Sequence, residues 1–276
     1  MVRYLNENIV IHDLRNTSTL EIAYCSGIGQ RENQQDCAFL YADDTAVYAV
    51  VCDGMGGLSG GAEASAAAVR SAEQSWNAYL AQPSSSPDWM ADAVIAADFT
   101  VHELKDENGE PLNAGSTFLS ACLQDNQMYW ASIGDSRIYV FHGSEAVQVT
   151  TDLNYSYILS QRRLAGTISD AEYEREMAQG EALTSFAGIG GVELLDRNLE
   201  PLEIQVGDTI LLCSDGLYRT IDAQWIQDIL SICSTLEDAC NAIHQIIEAH
   251  GTASQDNYTC ILIRIHEQGG ETWEQK

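Results

Sequence analysis

Positive charge is scarce in this 276-residue sequence: 13 Lys and Arg stand against 41 Asp and Glu, a formal net charge of −28. Such a surface repels nucleic-acid phosphates and anionic lipid headgroups, so neither nucleic acid nor a membrane is an expected partner. Long apolar runs are missing too. No stretch approaches the roughly 20 apolar residues of a membrane span. The N-terminal MVRYLNENIVIHDLRN is broken by charge where a signal peptide has an apolar core. There is no internal repeat, and no low-complexity tract beyond Pro-Ser-Ser-Ser-Pro at 83–87, so the chain reads as one unit. The eight cysteines, Cys25, Cys37, Cys52, Cys122, Cys213, Cys233, Cys240 and Cys260, contain no CxxC pair and no zinc-like spacing. Cys52, Cys213 and Cys260 sit in apolar runs and read as small buried hydrophobes, which fits a reducing cytoplasm better than secretion.

What is present is enough apolar material for a large core, 45% of residues, with 4 prolines, in the proportions of a packed globular domain. Runs of strand length occur at Leu20–Ile28, Cys37–Tyr41, Ala46–Cys52, Thr117–Leu123, Met128–Ile133, Ile138–His142, Ile210–Cys213 and Tyr258–Ile265. Several are apolar on both faces, as strands covered on both sides are. Helical periodicity appears at 61–80, through Ala62, Ala66, Val69, Trp76 and Tyr79, and at 235–249, through Leu236, Ala239, Ile243 and Ile246; a third helix is expected over Asp88–Leu104. This order suits packed β-sheets covered by helices. The polar segment 151–190, with a weak helical piece at Ser169–Ala178, reads as a flap.

Asp36, Asp53, Asp135, Asp215 and Asp256 each lie at the end of a strand-like run. Taken singly, each is more simply a turn residue. Jointly, five carboxylates at strand ends can converge on one edge of a sheet stack, where their repulsion is costly unless cations offset it. An oxygen-only donor set suits Mg²⁺ or Mn²⁺. None of the six histidines adjoins these motifs, which argues against zinc. In Asp53-Gly-Met-Gly-Gly57 the absent side chains let backbone carbonyls approach a small cation, Gly54 being the first candidate. Arg31 can clamp two phosphate oxygens with its planar fork; its simpler reading is a surface ion pair with Glu32 or a neighbour.

Arg31-Glu-Asn-Gln-Gln-Asp36, Asp53-Gly-Met-Gly-Gly57, Gly115-Ser-Thr117, Ile133-Gly-Asp-Ser-Arg137, Cys213-Ser-Asp-Gly-Leu217 and Gln255-Asp-Asn257 resemble, in order, the motifs of the metal-dependent serine/threonine protein phosphatases, the protein phosphatase 2C or PPM family, in their bacterial form. The resemblance implies an α+β fold, a four-layer α-β-β-α sandwich of two central, mostly antiparallel sheets flanked by helix pairs. It implies a single domain over 20–266, with 151–190 as the variable flap, 1–19 as an N-terminal extension and 267–276 as a tail. By the same resemblance Asp53 bridges two Mn²⁺ or Mg²⁺ ions, the Gly54 carbonyl binds one, and Asp36, Asp215 and Asp256 bind directly or through water. Arg31 clamps the phosphate. Asp135 and Asp215 hold a third, weaker ion. The implied reaction is hydrolysis of phosphoserine and phosphothreonine in proteins by an activated water, without a phosphoenzyme, in a cytoplasmic monomer opposing a kinase.

Asp53 is followed by Gly, Met and Gly, which separates the pattern from aspartyl-phosphate hydrolases, where a second acid follows the nucleophile by two residues. At Met55 many eukaryotic relatives carry a histidine where bacterial relatives often have Met, and the chain departs from the family pattern at Gln34, where Asn is usual, and at Asn154, where His often stands. The flap also lacks a basic, histidine-containing stretch before Leu183-Thr184. Two other functions share the pattern: a non-catalytic metal-binding interaction module, and a hydrolase of small phosphate esters.

Overall fold

A computed structural model describes residues 2–5, 10–11, 20–43, 45–57, 60–84 and 86–266. The first half contains β1 (Val2–Leu5), β2 (Val10–Ile11), β3 (Leu20–Gly27), β4 (Asp36–Ala42), β5 (Ala46–Gly56), α1 (Gly60–Ala81) and α2 (Asp88–His102). There follow β6 (Ala114–Ser116), β7 (Phe118–Gln124), β8 (Gln127–Ile133), β9 (Arg137–His142), β10 (Glu145–Gln148), α3 (Tyr155–Leu164) and α4 (Asp170–Glu176). The chain continues with β11 (Asp196–Arg197), β12 (Leu202–Glu203), β13 (Thr209–Cys213), α5 (Asp215–Tyr218), α6 (Ala223–Ile232), α7 (Leu236–His250) and β14 (Tyr258–Ile265).

The strands form two sheets whose pairings are all antiparallel among the described residues. One runs β1-β4-β5-β7-β8-β11, with β6 beside β5 and β12 beside β8; the other runs β10-β9-β13-β14-β3-β2. Period-two alternation divides each strand between two cores. Val47, Ala49 and Val51 of β5 meet Ile261, Ile263 and Ile265 of β14 between the sheets. Tyr48, Val50 and Cys52 of β5 face α1 and α2 on one outer side. Cys260 and Leu262 of β14 face α6 and α7 on the other. Three cores between four layers are the expected sandwich.

The strands begin and end within a few residues of the expected positions, but the helical surface is different in detail. On α1, Val69 and Trp76 are buried as expected, whereas Ala62 and Ala66 are only half-covered. The buried row is Ala64, Ala68, Ala72 and Trp76, spaced by four. Its small side chains let the helix lie close over β5, and Trp76 fills the far end by stacking on Tyr48 with ring centroids 5.0 Å apart. Helix α6 had no counterpart among the expected elements. Asp222 caps its first turn by accepting from the Trp225 amide at 2.8 Å, and Ile226, Ile229 and Leu230 form its buried face.

The segment 151–190 is less of a surface excursion than its polarity suggested. Leu153 and Ala187 are buried in the α1/α2 core, and Leu159 of α3 is fully covered. The expected weak helix at Ser169–Ala178 is α4, closed by a capping box between Ser169 and Glu172. In the region expected as an N-terminal extension, β1 pairs with β4 and β2 with β3, adding an edge strand to each sheet. The tail at 267–276 lies outside the described residues. No helix among the described residues is long and apolar enough to cross a membrane. The eight cysteines are free, and seven, including Cys52, Cys213 and Cys260, are buried.

Candidate metal centre

Adjacent strand ends bring the aspartates together. Asp36 opens β4 directly opposite Asp53 near the end of β5. Asp215 begins α5, just after β13, and Asp256 lies two residues before β14. Asp135 sits in the turn between β8 and β9, where Gly134 takes a φ of +94° that a side chain would resist. The Gly115-Ser-Thr motif fixes the backbone of Asp53: its amide donates to Thr117 Oγ1 at 2.8 Å, and its carbonyl accepts from the Thr117 amide at 2.8 Å and from Ser116 Oγ at 3.0 Å. Thr117 Oγ1 lies 2.9 Å from Ser136 Oγ, which ties the Asp53 strand to the Gly-Asp-Ser turn. The end of β5 also lies hard against the start of α1: a Cβ on Gly54 would sit 2.0 Å from the Gly61 carbonyl oxygen.

Asp36 is 2% exposed, and Ser214 Oγ donates to its Oδ2 at 2.7 Å. Ser214 in turn accepts from the Thr259 amide at 2.9 Å. Gln34, one of the departures from the family pattern, completes this network: its Oε1 accepts from the Asp36 amide at 3.0 Å while its Nε2 donates to Ser26 Oγ at 3.0 Å. The longer amide therefore still holds Asp36 in place. Asn154 also has local work, accepting from the Tyr157 amide as the cap of α3. Asn257 accepts from the Gln35 amide at 2.8 Å and donates to the Ile28 carbonyl at 2.9 Å, joining the ends of β3, β4 and β14.

Electrostatics marks the cluster as one that opposes its own ionisation. Burial, and then the charges of Asp36, Asp215, Asp135 and Asp256, push the Asp53 carboxyl well above the usual carboxylate range. Burial pushes Asp36 up to about 7, with Asp215 and Asp256 adding to the shift against the hydrogen bonds of Ser214 and Thr259. Asp135 is raised to about 6 by burial and by Asp215 and Asp152. Burial raises Asp215 as well, and Arg219 opposes the shift. Asp36 Oδ1 and Asp215 Oδ1 are buried and receive no hydrogen bond from an N–H or hydroxyl donor among the described residues, although the Asp53 carboxyl lies close enough to Asp215 to share a proton with it. Each such atom costs about 1–3 kcal/mol of unreplaced hydration, more if charged.

Two arginines partly offset this charge. Arg31 Nη2 lies 2.6 Å from Asp256 Oδ2, so its partner is Asp256 and not Glu32. Arg219 Nε lies 2.8 Å from Asp215 Oδ2. With Asp256 and Asp215 so engaged, no three Asp, Glu, His or Cys side chains among the described residues close to the spacing of a shared ion. The chemistry of the donors nonetheless fits hard divalent cations: oxygen only, two of them buried without donors, in carboxyls that ionise reluctantly without a cation. The five described histidines find their partners elsewhere: Gly188, Asp208, Tyr258, Trp225 and Glu21 for His102, His142, His244, His250 and His266.

The model of the family described as Protein phosphatase 2C matches residues 26–255. The chain belongs to that family. The protein phosphatase PhpP of Streptococcus pneumoniae is 28% identical over 255 residues, covering 91% of this chain and 100% of that protein. The serine/threonine phosphatase of S. agalactiae superposes with a TM-score of 0.74 at 24% identity, over 90% of this chain and 100% of the other. The catalytic domain of the serine/threonine protein phosphatase PstP, solved in complex with two manganese ions, gives a TM-score of 0.65 at 25% identity, over 90% and 99% of the two chains. The expected enzyme, a metal-dependent protein-serine/threonine phosphatase using Mn²⁺ or Mg²⁺, is thus borne out at the level of family. Reading the motifs missed Arg219, which lies just beyond the last residue of Cys213-Ser-Asp-Gly-Leu217, and the roles of Ser214 and Thr259, which become visible only once the strands are side by side.

Proposed function

We propose that Asp36, Asp53, the Gly54 carbonyl, Asp215 and Asp256 would hold two Mn²⁺ or Mg²⁺ ions, and that Arg31 would receive the phosphate of a phosphoserine or phosphothreonine side chain. The observation that carries this reading is the pair of buried oxygens without donors, Asp36 Oδ1 and Asp215 Oδ1, inside a cluster whose burial opposes ionisation. In such a site two cations supply an activated water and neutralise charge on the phosphoryl oxygens.

The remaining steps belong to side chains. Arg31 is half exposed and pairs with Asp256, itself partly exposed, so an arriving phosphate can take over the guanidinium fork. That exchange releases the Asp256 carboxylate to the centre. Ser116 and Thr117 hold the backbone of Asp53 at its strand end, and Ser214 engages Oδ2 of Asp36 while Oδ1 is left without a donor. The nearest hydroxyls are committed, Ser214 to Asp36 and the Thr259 amide, Thr117 to the Asp53 amide and Ser136. No protein nucleophile is required: water would form the new P–O bond as the P–O bond to the serine or threonine breaks, and the side chain would leave as the alcohol with a proton from water.

The unit that does this is the domain over 20–266 with 151–190 as its flap, acting as a cytoplasmic monomer on phosphoproteins set by an opposing kinase. The buried free thiols and the −28 charge support a reducing compartment and the absence of a nucleic-acid partner. The test is phosphate release from a phosphothreonine peptide under Mn²⁺ titration, run beside a panel of small phosphate esters. Activity that appears with Mn²⁺, disappears with EDTA and favours the peptide is expected; Mn²⁺ binding without phosphate release from any peptide overturns the reading. In the same assay Arg31→Ala should raise KM by on the order of tenfold or more, the loss of a bidentate charged contact, with Arg31→Lys recovering only part of it.

A further inference from the structure

We infer that Arg219 takes the place of a third ion in this chain: its guanidinium is a built-in cation that neutralises Asp215 and Asp135 together and ties both to the flap through Glu181. The inference rests on the two-ion reading of the remaining carboxylates. It departs from the family resemblance, which gives Asp135 and Asp215 to a third, weaker ion.

Three nitrogens of the one guanidinium reach three carboxylates. Nε lies 2.8 Å from Asp215 Oδ2, Nη1 lies 2.6 Å from Glu181 Oε2, and Nη2 lies 3.7 Å from Asp135 Oδ2. The first pair is preorganised by a single helical turn. Arg219 caps α5, and its own amide donates to the Asp215 carbonyl at 3.0 Å, so residues four apart are stacked on one face. Neighbouring Tyr218 donates to the Asp135 carbonyl at 3.1 Å, which holds the Gly-Asp-Ser turn against the same helix. Arg137 lies over the Tyr218 ring, its Cζ 3.6 Å from the ring centroid, and makes a two-pronged pair with Asp152 through Nε and Nη2, at 3.0 and 2.7 Å. A chain with only 13 Lys and Arg has therefore placed two of them around the side of the cluster where Asp135 lies.

The guanidinium lies within hydrogen-bonding distance of Asp215 Oδ2 and within ion-pair distance of Asp135 Oδ2, so it repels a further divalent ion placed between these two carboxylates, while Asp215 Oδ1, which it does not engage, is left to the two-ion centre. Arg219 is 41% exposed, so water screens part of this repulsion, and Asp135 and Asp215, at 8% and 16%, are the partners for which it counts. Glu181 follows the turn at 177–180, and the adjacent Ala182 carbonyl accepts from the Tyr155 amide at 2.8 Å at the start of α3. Glu181 is 78% exposed, so water screens this pair too, and a shift of this part of the flap would act on Asp215 through the guanidinium. The flap is thereby coupled to the metal centre by one side chain.

The experiment counts bound Mn²⁺ by native mass spectrometry and calorimetry on the full chain, and follows amide exchange in the Mn²⁺-loaded protein. Wild type is expected to stop at two ions. Arg219→Ala and Arg219→Asp should take up a third, at least about tenfold tighter than any third binding to wild type, while Arg219→Lys, which keeps the charge, stays at two. Glu181→Gln, which leaves the carboxylate cluster intact, should keep the count at two and still speed exchange across 177–184, as Arg219→Ala does. Three ions in wild type, two in every variant, or unchanged flap exchange in both Glu181→Gln and Arg219→Ala would overturn the inference while leaving the two-ion centre standing. Wild type that binds no Mn²⁺ removes the two-ion centre, and the role of Arg219 with it.

Discussion

Asp53→Asn is expected to lower kcat for a phosphothreonine peptide by at least about 10³-fold while the protein stays folded. A thousandfold corresponds to about 4 kcal/mol of lost transition-state stabilisation, the scale of a cation's contribution to charge neutralisation at phosphoryl oxygens. Asp53 is the carboxyl through which the cluster is connected, since the charges of Asp36, Asp215, Asp135 and Asp256 all act on it. The substitution removes charge and keeps shape. The strand end is held by main-chain contacts to Ser116 and Thr117, which the amide does not disturb. Because burial and its neighbours oppose ionisation of Asp53, the neutral amide relieves repulsion in metal-free protein, so melting in EDTA should occur at the same temperature as wild type or higher. Activity and stability thus move in opposite directions, a signature that general damage to the fold does not give. Asp215→Asn should behave alike, whereas Asp135→Asn should cost less than about tenfold if Arg219 already serves that side of the cluster. A loss below tenfold for Asp53→Asn would remove Asp53 from the proposed ligand set.

The sandwich and the aspartates were legible in the sequence for different physical reasons. Strands covered on both faces leave continuous apolar runs, and Tyr258–Ile265 announces itself because alternate residues enter two different cores. The aspartates were legible jointly, through order and spacing, since each alone is indistinguishable from a turn residue. Helix α6 was overlooked although Asp222 and the Ile226, Ile229, Leu230 face carry its signal, because only ten residues lie between two other elements and a short period is easily lost. On α1 the expected stripe holds at Val69 and Trp76 and fails at its alanines: Ala62 and Ala66 are half-covered, whereas Ala64, Ala68 and Ala72 make the close approach to β5, and in an alanine-rich stretch one alanine carries no more signal than the next. Most opaque was the charge pairing. Arg31 and Asp256 are 225 residues apart, and Arg219 meets Glu181 across 38, so no local pattern shows these two pairings; the pair of Arg219 with Asp215, four residues apart, is the one that local spacing does carry.

Metal-free protein should lose stability as pH rises from about 4 to about 7, and Mn²⁺ should invert that slope. Asp36 titrates near 7 and Asp135 near 6 in the folded chain, both above the ordinary value near 4. The folded state therefore binds more protons than the unfolded state across this window, and stability falls with rising pH as these groups are forced to ionise. Each unit of displacement is worth about 1.4 kcal/mol per group at full effect. For a domain of this size each kcal/mol moves the melting temperature by about 2–4 °C, so a fall of several degrees between pH 5 and pH 8 is expected in EDTA. Divalent ions bind the ionised carboxylates and compete with the protons, so the stabilisation by Mn²⁺ must grow over the same interval. Self-repulsion of the −28 surface also weakens the fold as pH rises, and Asp36→Asn separates the two effects, because it removes the share of Asp36 in the local contribution and leaves the surface charge nearly intact. Thermal melts of wild type and Asp36→Asn at pH 5, 6, 7 and 8, with EDTA and with Mn²⁺, give the comparison. An EDTA melting temperature that climbs with pH, or an Mn²⁺ shift of equal size at pH 5 and pH 8, would mean that these buried carboxylates are not the ones that exchange protons for metal.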